Sequence, residues 1–149
     1  MIYEIHTSDS QSYAEIAEYA AAFINATADL NLAYFERLGY APCLGCEGVK
    51  YNPPSKEFRS HRICLKDADF LLREGEGKCN DIVAYFLAWC WYFNIPAELD
   101  VVNYNNGLIH VRTRINGVIV DPSENLKNNG YMSSYSNDIC GCFSEMVNI

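Results

Sequence analysis

From Ile82 to Phe93, twelve consecutive residues are apolar. A membrane span needs about 20 such residues, so this run is too short to cross a bilayer and reads as the core of a helix inside a globular domain. Val83, Tyr85, Phe86, Leu87, Trp89, Cys90, Trp91 and Phe93 cover nearly every side of a helix drawn from Cys79 to Asn94. A helix apolar all round must be packed on all sides. The rest of the chain therefore has to wrap it. Gly75 and Gly77 break the chain just before Cys79, and Ile95-Pro96 ends the helix, because the residue before a proline is driven out of the α region.

The wrapping elements follow from periodicity. Ser12-Tyr-Ala-Glu15 has the S-x-x-E form in which the two side chains satisfy free N–H groups at a helix start. Ile16, Ala20, Phe23, Ile24, Thr27, Tyr34 and Leu38 then recur at three- and four-residue spacing, one apolar stripe, and Gly39 is a natural stop. The poorer helix formers between Asn25 and Asn31 allow a break into two helices. Residues 40–66 read as irregular, because Pro42, Gly45, Gly48, Pro53 and Pro54 forbid long regular elements. A segment of that length inside a compact domain needs something to hold it. A short helix is expected over 67–73.

After the apolar helix come three strands, 97–104, 108–115 and 118–121. Asn105-Asn106-Gly107 and Asn116-Gly117 are the hairpin turns, since Asn and Gly tolerate the positive φ such turns require. Beyond Pro122 the chain is polar and rich in Gly, Asn and Ser, with a short final strand expected over 143–149. Helices, a buried helix, then an antiparallel meander make an α+β fold. The 149 residues suit one domain. It divides into an N-terminal helical part (1–40), an irregular cysteine-containing segment (41–66), a core (67–125) and a tail (126–149).

Nineteen acidic against eleven basic residues leave a net charge of −8. That balance argues against a protein that grips nucleic acid, whose affinity rests on Lys and Arg neutralising phosphates, unless Lys56, Arg59 and Arg62 cluster. The start, Met1 to Ser10, has no basic region followed by an apolar run, so no secretory signal is expected. A reducing cytoplasm follows as the expected setting, with no membrane partner. There cysteines serve metals or catalysis more often than disulfides.

Cys79, His110 and Asp121 are the residues that carry chemistry. Cys79 heads the buried helix, His110 lies in the second strand and Asp121 ends the third. A thiolate is stabilised by the positive end of a helix and by a neighbouring imidazolium. An Asp on the far ring nitrogen fixes the imidazole tautomer. The Cys79 N–H would face a developing oxyanion, and Gly77 would let a substrate backbone approach. Asp81 reads as a carboxylate favoured by the helix dipole, and Cys90, between two tryptophans, as inert core.

The stretch Arg73-x-Gly75-x-Gly77-x-Cys79-x-Asp81, the apolar helix, Asn94-Ile95-Pro96-Ala97, His110 and Asp121-Pro122 resembles the transglutaminase-like superfamily of papain-type cysteine enzymes. The resemblance covers about residues 62–125 and looks most like the small stand-alone versions encoded among structural genes of tailed bacteriophages. It implies a papain-like core, with the buried helix packed on a small antiparallel sheet. It also implies a Cys-His-Asp triad acting through a thioester on a protein or peptide substrate, with cross-linking, deamidation or peptide cleavage as outcomes. Some members of that superfamily are inactive, so a non-catalytic assembly component of a phage particle, bound to other virion proteins, is the alternative implied. Asn94 stands where the family usually has Gly, and no second oxyanion donor is evident upstream.

The triad calls for no cofactor. A structural zinc is a separate expectation. Cys43-x-x-Cys46 and His61-x-x-Cys64 form two ligand dyads at a separation zinc sites use, and such an ion would order the Pro/Gly-rich segment. Cys140 and Cys142 are further candidates, and buried thiols or disulfides are the other readings of these cysteines.

Overall fold

In the computed structural model, residues 1–6, 13–52, 62–103 and 109–129 are described. In chain order the elements are β1 (Ile2–His6), α1 (Tyr13–Leu38), β2 (Lys50–Tyr51), β3 (Arg62–Lys66), α2 (Ala68–Glu74), β4 (Glu76–Gly77), α3 (Cys79–Tyr92), β5 (Ala97–Asn103), β6 (Ile109–Ile115), β7 (Val118–Val120) and α4 (Pro122–Asn129). The architecture is α+β, as the element pattern implies.

The apolar run forms α3, and every residue from Cys79 to Cys90 is buried. On one side lies α1; on another lie β5 and β6, with α4 completing the wrap. Phe35 of α1 meets Tyr85 of α3 edge-on, ring centroids 4.9 Å apart. The last turn emerges from the core: Trp91 and Tyr92 are half-buried and Phe93 is 48% exposed. Asn94 ends the helix with φ +59°. The Asn94 N–H donates to Trp91 O at 3.0 Å and the Ile95 N–H to Cys90 O at 2.8 Å. Those two bonds are the Schellman closure, in which Asn substitutes for the commoner Gly. The Trp91 indole N–H then donates to Ala97 O at 3.0 Å, clasping the exit into β5.

α1 runs unbroken through 25–31. The polar residues there are used rather than disruptive. The Thr27 hydroxyl donates to Phe23 O at 2.9 Å. Asn31 is buried, and its Oδ1 accepts from the Ala68 N–H at 2.8 Å, anchoring the start of α2. The buried stripe is Ala20, Ile24, Thr27, Ala28, Asn31 and Phe35. Phe35 takes the core place that spacing assigns to Tyr34 and Leu38; Tyr34 is half-buried and Leu38 is 39% exposed. Ser12 lies outside the described residues.

Two further expectations are corrected. The 40–66 segment is not wholly irregular: β2 pairs parallel with β4, and β3 pairs antiparallel with β1. Both pairings need partners distant in sequence, so local composition hides them. The chain beyond Pro122 is not a structureless tail at its start, but α4.

β5, β6 and β7 form the antiparallel meander, with Val102 opposite His110 and Thr113 opposite Val120. Val111, Thr113 and Ile115 are buried, alternating with the less buried Arg112 and Arg114. Asn116 and Gly117 turn the β6–β7 hairpin at φ +51° and +80°, the paired positive φ of a type I′ turn. The turn expected at 105–107 and the strand expected at 143–149 lie outside the described residues. Among the described residues, no helix is long and apolar enough to cross a membrane.

Candidate functional site

Cys79 is the first residue of α3, and the chain that delivers it is held from several directions. Lys50 N–H donates to Gly75 O at 2.9 Å and Asn52 N–H to Gly77 O at 2.8 Å, which fixes β4 alongside β2. Lys78 is the N-cap residue, in extended conformation. Asp81, in the first turn, accepts from the Lys78 N–H through Oδ2 at 2.9 Å and from the Lys66 N–H through Oδ1 at 2.7 Å. One carboxylate thus caps α3 and ties its start to the end of β3. Burial pushes the Asp81 carboxyl up, and the two N–H donors oppose that shift. This is the helix-start role that its position in the sequence suggests.

Gly77 serves packing. A Cβ there would lie 2.5 Å from Leu71 Cδ1 and 3.1 Å from Asp81 Cβ. A side chain there would require the buried Leu71 tip to shift and would crowd Asp81.

His110 is the second residue of β6 and Asp121 directly follows β7. His110 Nε2–H donates to Asp121 Oδ2 at 2.6 Å, and each side chain is 18% exposed. The His110 ring also shares a hydrogen bond with the Cys79 side chain. With Nε2 committed to Asp121, Nδ1 is the nitrogen left for the sulfur. The three residues proposed from sequence are therefore brought together as a hydrogen-bonded chain. The bond to Asp121, then the bond to Cys79, push the His110 imidazolium up to about 10, against the opposing effect of burial. The ring is held protonated at neutral pH in this arrangement. An imidazolium thus stands beside the sulfur at the N-terminus of α3.

Cys79 is only 1% exposed. Its thiol donates to Asn80 Oδ1 at 3.8 Å. Asn80, the next residue in the chain, is itself buried.

Asp121 has a second role that the sequence reading passed over. Its Oδ1 accepts from the Ser123 N–H at 3.1 Å and the Glu124 N–H at 3.2 Å. It is the N-cap of α4, with Pro122 at the first helical position. The signal was present: Asp, then Pro, then Glu three residues on is a helix-start pattern. Ser123 is fully buried, and its Oγ has no hydrogen-bond partner among the described residues.

A cavity of about 460 Å³ is lined by Asn52, Cys64, Lys66, Gly77, Lys78 and Asp81, among others. Cys43 and Cys46 do not line it. These two lie in the turn after α1, and their side chains are hydrogen-bonded to one another. Among the described residues, no three His, Cys, Asp or Glu side chains gather as metal ligands would. His61, Cys140 and Cys142 lie outside the described residues, as do Lys56 and Arg59. Cys90 is buried, and burial pushes its thiol far up.

No family model, curated protein or solved structure matches the chain.

Proposed function

We propose that the protein is a transglutaminase-like thiol enzyme acting on amide groups of a protein or peptide, with Cys79 as nucleophile, His110 as proton carrier and Asp121 as the group that orients His110. The observation that carries this reading is the hydrogen-bonded chain from Cys79 through His110 to Asp121, placed at the N-terminus of α3. The likeness of residues 62–125 to that superfamily supports it.

In this reading the Cys79 thiolate attacks the amide carbon. The oxygen that gains charge faces the Cys79 N–H and the positive end of α3, where first-turn N–H groups have no intrahelical acceptor. His110, already protonated, gives its proton to the departing amine as the C–N bond breaks, leaving a thioester. Water then attacks the thioester and yields a carboxylate, or an amine attacks and yields a new amide. Either nucleophile loses its proton to His110, which restores the starting state. Asp121 holds the ring so that Nδ1 faces sulfur throughout.

The test is mass spectrometry of candidate protein substrates incubated with wild type and with Cys79→Ala. Amide hydrolysis, cleavage or cross-links that form only with wild type support the enzyme. Identical spectra from both proteins, with every substrate tried, argue against it.

The 1% exposure of Cys79 favours a second reading, a non-catalytic assembly component of a phage particle in which the same three residues hold α3, β6 and α4 together. On that reading the Cys79→Ala protein unfolds more easily and loses assembly partners, while wild type modifies no substrate.

A further inference from the structure

Residues 43–48 make a single helical turn. The Glu47 N–H donates to Cys43 O at 3.0 Å, Gly48 N–H to Gly45 O at 3.2 Å and Val49 N–H to Leu44 O at 3.1 Å. Gly48, at φ +73°, closes it with the left-handed residue that such endings require. Residues three apart on a helical turn share a face, with Cβ atoms about 5–6 Å apart. That spacing puts Cys43 and Cys46 side by side, and their side chains are hydrogen-bonded. A disulfide needs Cβ atoms about 3.5–4.5 Å apart, so a small closure of the same turn is enough. Cys46 is exposed and Cys43 partly so. The turn is anchored on both flanks: Leu44 and Val49 are fully buried, and the Tyr85 hydroxyl of α3 donates to Pro42 O. The two cysteines thus sit on a turn anchored at both flanks.

From this geometry we propose that Cys43 and Cys46 are a redox-active dithiol, forming a reversible intramolecular disulfide by exchange with small-molecule disulfides such as oxidised glutathione. The site is separate from Cys79 and does not depend on the activity proposed above. One protein thiolate attacks a sulfur of the oxidant, forming a mixed disulfide and expelling the first small thiolate. The second protein sulfur attacks the protein sulfur of that mixed disulfide, forming the Cys43–Cys46 bond and expelling the second. The two protons lost by the protein pass to the two small thiols, so two thiols are oxidised and one disulfide is reduced.

The full chain is equilibrated with reduced and oxidised glutathione at several ratios, quenched with acid, alkylated with a maleimide, digested and mapped by mass spectrometry. The expected result is that Cys43 and Cys46 lose their labels together, their shared peptide is lighter by two hydrogens, and reductant restores both. In Cys43→Ser or Cys46→Ser the remaining thiol of the pair has no resolving partner and accumulates the glutathione adduct that wild type does not retain. Three results would overturn the proposal: independent glutathionylation of the two thiols in wild type, pairing of either with a different cysteine, or thiols that label only after a chelator removes a stoichiometric zinc.

Discussion

Asp121 divides its carboxylate between two tasks: Oδ2 holds His110 Nε2 at 2.6 Å, and Oδ1 caps α4 by accepting from the Ser123 and Glu124 N–H groups. The orientation of the imidazole and the start of the following helix therefore depend on one side chain. Two substitutions separate the tasks. Asp121→Ala removes both, and loss of a helix cap alone costs about 0.5–2 kcal/mol. Asp121→Asn keeps an oxygen for the cap and offers an amide to the ring, but removes the charge. In urea unfolding, Asp121→Asn should lose the His110 ion pair but keep the cap, and Asp121→Ala, which loses both, should fall further. Both should lose the proposed thiol activity. Equal destabilisation by the two would mean that the cap adds nothing.

The His110 imidazolium, pushed up to about 10 from an ordinary 6.5, makes stability depend on pH. The folded protein holds a proton that the unfolded chain releases between those values. Its contribution is therefore full below about pH 6.5 and is lost as pH rises through about 10. Melting temperature should fall across this window in wild type. His110→Ala should flatten that fall. A slope unchanged by the substitution would place its source elsewhere.

Asp81 joins two backbone N–H groups, of Lys66 and Lys78, that come from different elements. Asp81→Ala leaves both donors without that acceptor in a partly buried setting, at about 1–3 kcal/mol. Gly77→Ala forces a Cβ against Leu71 and Asp81, and overpacking of this kind costs about 1–3 kcal/mol. Chemical denaturation of the two single variants and the double variant checks both. The double variant should lose less than the sum, because removing the Asp81 side chain also relieves part of the Gly77 crowding.

Ser123 buries a hydroxyl that has no partner among the described residues. Removing an unpaired buried hydroxyl leaves stability unchanged or raises it by up to about 1–3 kcal/mol. Ser123→Ala should therefore melt at or above the wild-type temperature. A lower melting temperature would mean that the hydroxyl is satisfied in solution.

The features legible in the sequence are those written in contiguous residues. The apolar run from Ile82 to Phe93 announces a buried helix, Asn116-Gly117 announces a hairpin, and Cys79, His110 and Asp121 fall at element ends that fold together. The pairings β1–β3 and β2–β4 left no such mark, because their partners are distant in the chain and two of the strands are two residues long. Asn25 to Asn31 looked like a helix break because propensity counts Asn and Thr as poor helix formers. In the fold, Asn31 earns its place by anchoring α2, a tertiary role that propensity cannot contain. The Asp121-Pro122-Ser123-Glu124 helix start was readable and was hidden by the polar composition that follows it.

The central claim is that His110 and Asp121 activate Cys79. Iodoacetamide labelling of the folded protein, resolved by residue and followed from pH 5 to pH 9, tests it most directly. Cys79 should be alkylated far faster than Cys90, and His110→Ala and Asp121→Asn should both slow Cys79 without changing Cys90. If Cys79 and Cys90 label at the same slow rate in the folded wild type, and His110→Ala changes neither, the triad is an arrangement of packing and the enzyme reading is wrong.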